Sequence, residues 1–108
     1  MANSIIQANL EYCPICFEKI IGQGHWHHVY PGANRKRSDS EKMLIYVHPQ
    51  CHMKIHNSPL LMLTLQARYQ DVWCEHNGKT TEDFIKMFGK DYKVRLELFK
   101  QKEWKTIG

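Results

Sequence analysis

The stretch His48-Pro49-Gln50-Cys51-His52-Met53-Lys54-Ile55-His56 decides how this chain is read. Pro49 stands where a helix can begin, because the first helical turn leaves its N–H without a partner in any case. No breaker follows before Asn57. Two sets of ligand-bearing side chains share the segment. His48 and Cys51 are separated by two residues, a gap that lets one turn present two ligands to one ion. His52 and His56 are four apart, so on a helix they project from one face, one turn from each other. Paired histidines at that spacing form a common half-site for a transition metal; the plainer reading is a pair of surface residues.

Outward towards the N-terminus, Cys13-Pro14-Ile15-Cys16 repeats the two-residue gap. Two such turns from distant parts of the chain can close one tetrahedral site, and Cys13, Cys16, His48 and Cys51 leave no open position on a zinc ion, which makes the expected site structural. Its job is to clamp the N-terminal turn onto the start of the central helix. A redox pair would normally open a helix after a strand in a larger α/β pattern, which this sequence lacks. A disulfide framework would need secretion. MANSIIQANLEY has no basic start followed by a long apolar stretch, so no signal peptide is expected. The expected compartment is the cytoplasm, with cysteines reduced. Cys74, beside Trp73 on the apolar side of a helical stretch, reads as a buried free thiol.

Between the two turns, Gly22-Gln23-Gly24 is a turn signal and His25 to Tyr30 an extended strand, ended by Pro31-Gly32. Asn34 to Lys42 is polar and basic and reads as a loop. Met43 to Val47, MLIYV, is too short for a helix and bulky enough for a strand. Neighbours on a strand point to opposite faces, so His27 and His28 face one point only at a bulge or a strand end. His25 reads as a surface residue at a turn. After the central helix, Ser58 and Pro59 can cap and open a long helix from Leu60 to about His76, with His76 favoured by the helix dipole and Asn77-Gly78 as its stop. Thr80 or Thr81 can cap a helix through Phe88, and Asp91 a last one towards Trp104. The order is strand, strand, helix, helical tail: a small α+β chain.

Bulk properties agree. A chain of 108 residues, 43% hydrophobic and 24% charged, suits one globular domain whose modest core benefits from a metal. No apolar run approaches the roughly 20 residues of a membrane span. The net charge of +4 favours polyanionic partners. Arg35, Lys36 and Arg37 are adjacent and close in sequence to most of the histidines, whereas Lys86, Lys90, Lys93, Arg95, Lys100, Lys102 and Lys105 read as a solvated helix face.

The pieces CPIC, HHVYP, MLIYV and HPQCHMKIH, in that order, resemble the HNH endonuclease superfamily, over roughly Cys13 to His56. From GANRKRS to TTEDFIKMFGKDY the chain also looks like small phage-encoded HNH proteins with a helical tail. The resemblance implies a small ββα-metal finger with a zinc knuckle. It implies one nuclease domain over 1–108, with knuckle and finger in 10–58 and the helical tail in 59–108. It also implies a metal-dependent DNA endonuclease or nickase. In it His28 is the general base, and His27, His52 and His56 hold a catalytic divalent ion, Mg2+, Mn2+, Ni2+ or Zn2+, beside the structural Zn2+. The partner would be duplex or branched DNA, met in the host cytoplasm if the chain is phage-encoded. Arg35, Lys36 and Arg37 would contact its phosphates, since they add charge without a base-reading helix. Two positions depart from the family pattern. His48 stands where a cysteine is usual, a conservative change for zinc. Met43 stands near the family's central asparagine and cannot accept the ring hydrogen bond of the base; a backbone carbonyl, Asn34 or Ser38 would have to replace it. Met43 favours the alternative, a non-catalytic zinc-dependent DNA-binding or phage packaging-complex module, and the intact histidine set opposes it. A metal-binding protein of another fold is the third reading.

Overall fold

The computed structural model describes the backbone of residues 4–107 and the side chains of residues 4–102. Met1 to Asn3 of the N-terminal segment and the side chain of Lys105 lie outside the described residues. The chain is a small α+β domain, with a two-stranded hairpin, a helix packed on it and a helical C-terminal part. Strand β1 is His25–His28 and β2 is Leu44–Val47, antiparallel, with His25 opposite Val47, Trp26 opposite Tyr46, His27 opposite Ile45 and His28 opposite Leu44. Between the strands lies a short helix α1, Arg35–Ser40, and after β2 and one further residue comes helix α2, Pro49–Asn57.

Strand β1 ends two residues earlier than expected and β2 begins one residue later, and the cause is local. Val29 still donates to the Met43 carbonyl, but the amide of Tyr30 donates to the Ser38 hydroxyl, which in turn donates to the Tyr30 carbonyl. The segment expected as a loop, Asn34 to Lys42, is mostly helical. A short 3-10 turn over Gly32–Asn34 runs into α1. The sequence of α1, RKRSDS, has no apolar stripe because its one buried residue is Ser38. The helix is docked by that hydroxyl rather than by hydrophobic periodicity, the signal on which a helix is normally recognised.

The helical tail comprises α3, Pro59–Asn77, α4, Thr81–Phe88, and α5, Tyr92–Ile107. The expected caps are present. Ser58 accepts from the Leu61 amide, and Thr80 with Asp83 forms a capping box. Gly78 ends α3 in the left-handed region. Cys74 is half-buried, with its thiol 3.5 Å from the Thr80 carbonyl.

The tail is joined to the hairpin through Val29 and Tyr30. Tyr30 is fully buried, its ring centroid 4.6 Å from Phe88 and 4.8 Å from Tyr92, and its hydroxyl donates to the Gln66 carbonyl at 2.7 Å. The Gln66 amide donates back to the Val29 carbonyl. At the other edge of the hairpin, Gln7 acts as a one-residue strand. Its side chain accepts from the Tyr46 amide at 2.6 Å and donates to the carbonyls of Tyr46 and Tyr12.

Asp91 and Gln70 fasten α5 to α3 by a reciprocal exchange. The buried Gln70 amide donates to Asp91 Oδ1 at 3.0 Å and accepts from the Tyr92 amide at 2.8 Å, while Asp91 also accepts from the Lys93 and Val94 amides. Asp91→Ala should cost about 2–3 kcal/mol, combining a lost cap with an orphaned buried amide. The Gln70 bond, helped by those backbone donors, holds the Asp91 carboxyl below its ordinary 3.8. Near and below that value the unfolded chain therefore binds more protons than the native one. The contribution of Asp91 is fully present above the ordinary carboxylate range and falls away as pH drops through the depressed native value. Urea melts of wild type and Asp91→Ala should differ near neutrality and converge in acid; a constant difference would mean the carboxylate is not the active part.

Candidate metal centres

The first centre is built on two turns. Cys13-Pro14-Ile15-Cys16 folds so that the Phe17 amide donates to the Cys13 carbonyl at 2.8 Å, with Phe17 at φ 64°. The turn is closed by the Cys13 amide on the Glu18 carbonyl and a Tyr12–Lys19 bridge. The other turn is the entry to α2, where His48 is the N-cap and Cys51 is buried in the first turn. The ligand atoms of Cys13, Cys16, His48 and Cys51 all lie within 4.8 Å of one another. They form a cluster of three cysteines and one histidine that could hold a metal ion. The His48 ring does not cap α2. Its Nδ1 lies 3.3 Å from the Cys16 sulfur, while Nε2 is 3.0 Å from the Lys19 carbonyl. A carbonyl can only accept, so Nε2 carries the proton and Nδ1 is left for the ion, an arrangement common among metal-bound histidines.

Proton affinities within the cluster fit a cation. Burial would raise the Cys13 thiol, but the amides of Cys16, His48 and Ile15 and the His48 ring bring it down to about 6. Burial, with the neighbouring sulfurs of Cys13 and Cys16, pushes the Cys51 thiol up to about 12. The Cys13 thiolate thus opposes ionisation of Cys51, and a dication removes the conflict, since zinc ligates thiolates and releases their protons.

The second centre joins the hairpin to α2. Strand alternation turns His27 inward, where it is 1% exposed, and spacing places His52 and His56 opposite it. Ring centroids are 5.2 Å apart for His27–His52, 5.3 Å for His27–His56 and 4.8 Å for His52–His56. One nitrogen from each lies within 4.8 Å of the others, and Nε2 of His52 and His56 are 3.1 Å apart. Burial first, then the neighbouring His52, His56 and His28 rings, lower His27 to about 3, so it is neutral and able to ligate. Both its ring nitrogens are buried without a hydrogen-bond partner. An orphaned buried polar group costs about 1–3 kcal/mol; a metal at this point satisfies one nitrogen and gives the burial a reason. The histidine triad therefore also fits a metal ion, and three protein ligands leave positions open for water or substrate.

The triad opens on a cleft of about 250 Å3 also lined by Trp26, His28 and Arg35. His28 points to the other strand face from His27, yet it ends the strand and reaches the same cleft. Its Nε2 lies 2.9 Å from Asp39 Oδ1. Neither side chain expected as a substitute for the family asparagine makes such a bond. The Asn34 amide donates to the Phe88 carbonyl, and the Ser38 hydroxyl is engaged by Tyr30. Met43 is fully buried in the core. Asp39 was not apparent in the sequence because it lies on the helix that read as a loop. His25, expected as an uninvolved surface residue, is exposed but sits beside the triad, its Nδ1 3.3 Å from His52 Nδ1. Of the three adjacent cations, Arg35 lines the cleft; Lys36 and Arg37 are exposed elsewhere on α1, Arg37 bonded to Asn34.

No protein-family model, curated protein or solved structure matches this chain. Among the described residues no helix is long and apolar enough to cross a membrane.

The two centres should separate on titration. Elemental analysis of purified protein is expected to give one tightly held zinc per chain, and Cys13→Ser should unfold the domain, because metal-binding energy here is folding energy. His56→Ala should keep that zinc and the circular dichroism of the fold while losing calorimetric binding of a second divalent ion. A folded, metal-free wild type would contradict the first assignment, and unchanged second-ion binding in His56→Ala the second.

Proposed function

We propose that the protein is a metal-dependent nucleic-acid hydrolase of the HNH kind, a DNA endonuclease or nickase. The observation that carries this reading is the cleft in which a histidine triad with a neutral, buried member meets a fourth histidine, His28, and a cation, Arg35. A metal site alone is compatible with many roles. A metal site with a separate imidazole and an arginine in a cleft suits hydrolysis of an anionic ester.

His28 serves as the general base. It takes a proton from water as the water oxygen attacks phosphorus, and the bond from phosphorus to the 3′-oxygen breaks. An imidazole suits that task because its ordinary pKa lies near neutral. A divalent cation held by His27, His52 and His56 would neutralise charge on the phosphorane-like transition state and the leaving oxygen. Arg35, which lines the cleft, would pair with a phosphate oxygen, and Lys36 and Arg37 would extend the positive surface outside it. The cysteine–histidine cluster, with its zinc, takes no part in the chemistry. It holds α2 against the hairpin.

A supercoiled-plasmid assay with Mg2+, Mn2+, Ni2+ or Zn2+ tests this reading. His28→Ala should keep both metals and DNA binding and lose cleavage by about 10²–10⁴-fold, the usual contribution of a base. Zinc-loaded wild type that cuts DNA with none of these ions would instead favour the non-catalytic DNA-binding module, for which Met43 in place of the family asparagine already speaks. Neutralising Arg35, Lys36 and Arg37 together should weaken binding to all sequences alike. It should also flatten the plot of log affinity against log salt by about 0.9 for each phosphate that is no longer neutralised. Unchanged affinity and slope would make α1 an ordinary solvated helix.

A further inference from the structure

We infer that Asp39 is the positioning residue of His28. It fixes the imidazole as the Nε2–H tautomer and so presents the Nδ1 lone pair as the proton acceptor. The inference rests on the nuclease reading for its consequence in catalysis, but its structural part stands on contacts of its own.

His28 Nε2 and Asp39 Oδ1 are 2.9 Å apart. An ionised carboxylate only accepts, so the shared proton resides on Nε2. A neutral imidazole has one N–H and one lone pair, which leaves Nδ1 as the basic site. The pair is asymmetric in exposure: the His28 side chain is 17% exposed and the Asp39 side chain 60%. The imidazole is thus held by its surroundings, while the carboxylate reaches it from solvent. A polar contact so exposed adds little to stability. Its effect lies in orientation, because a base needs a third group to hold its ring and select its tautomer.

The backbone explains why Asp39 can do this. Ser38 is pinned to Tyr30 on both sides of its hydroxyl, two residues beyond His28. The Lys42 amide donates to the Asp39 carbonyl and the Met43 amide to the Ser38 carbonyl, which closes α1 onto the start of β2. Helix α1 is therefore locked in register with the end of β1, and the side chain after Ser38 falls beside His28. The inserted helix supplies from outside the hairpin what the position near Met43 cannot supply from within it.

Two variants test the assignment, Asp39→Asn and Asp39→Glu. Asparagine keeps the shape of the side chain but can offer its NH2 group to Nε2, which stabilises the opposite tautomer. Glutamate keeps the carboxylate, and the exposure of the site gives the longer arm room. In zinc-loaded protein without a second metal or DNA, 15N shifts of the His28 ring at alkaline pH should report Nε2–H in wild type and Asp39→Glu, and substantial Nδ1–H in Asp39→Asn. In cleavage, Asp39→Asn should lower kcat by about 10–100-fold, the usual effect of losing an orienting partner. KM should be unchanged, and Asp39→Glu should recover most of the rate. If Asp39→Asn keeps the wild-type tautomer, Asp39 does not position His28, whatever the cleavage rates. If the tautomer follows Asp39 but wild type cuts nothing, the positioning stands and the nuclease reading falls.

Discussion

The turn from β2 into α2 carries two demands at once. His48 and Cys51 must meet the sulfurs of Cys13 and Cys16 on one side of it, and His52 and His56 must meet His27 on another. Consecutive residues on a helix are turned by about 100°, so Cys51 and His52 serve neighbouring but different directions, and neither set can move without the other. Helix α2 is short and offers only Cys51 and Ile55 to the core. An ion held by the cysteine–histidine cluster would add a second constraint on its orientation. A histidine pair at i and i+4 becomes a half-site only if something holds the helix at a fixed angle over β1, and in this chain an ion on the cluster of thiols with one imidazole would provide that hold.

Much of this arrangement was legible from residue types and spacing. The paired two-residue gaps at Cys13/Cys16 and His48/Cys51, the helical pair His52/His56 and the caps at Ser58, Thr80 and Gly78 all encode local geometry, and the three-dimensional structure places them as that geometry requires. The α+β order followed from the same signals. Polar interactions at long range were not legible. Gln7 reaches a backbone 39 residues away, and Ser38 docks a helix with no apolar stripe to announce it. Asp39 could be placed beside His28 only once that helix was known to exist. His25 escaped for a related reason: a turn-flanking histidine has no periodic signal, and its nearness to His52 arises from the register of the hairpin. Side-chain to main-chain bonds of this kind carry no sequence period, so their partners emerge only from the folded chain.

The two centres differ in what surrounds them, and the difference would suit separate roles. The cysteine–histidine cluster lies between two main-chain turns, and its one histidine is already bonded to a carbonyl. The histidine triad faces a cleft, contains an imidazole whose nitrogens have no hydrogen-bond partner, and is bordered by His28, Arg35 and Trp26. Four ligands with no opening suit a structural ion, and three ligands beside a cavity suit an ion that must also meet something else. This contrast rests on donor number and access, not on which metal is present.

The clasp also has a mechanical meaning. With an ion bridging Cys13 and Cys16 to His48 and Cys51, residues 17–47, including the whole hairpin and α1, lie inside a loop closed by coordination bonds. Tension applied between the two ends of the chain passes through the clasp and bypasses that loop. An unfolding machine gripping either terminus could strip the helical tail, yet the hairpin with His27, His28 and Asp39 would stay slack. Only rupture of metal–ligand bonds would release the enclosed length, roughly 110 Å of extended chain. Unlike a disulfide, such a clasp yields to protons and chelators and does not require a reductant.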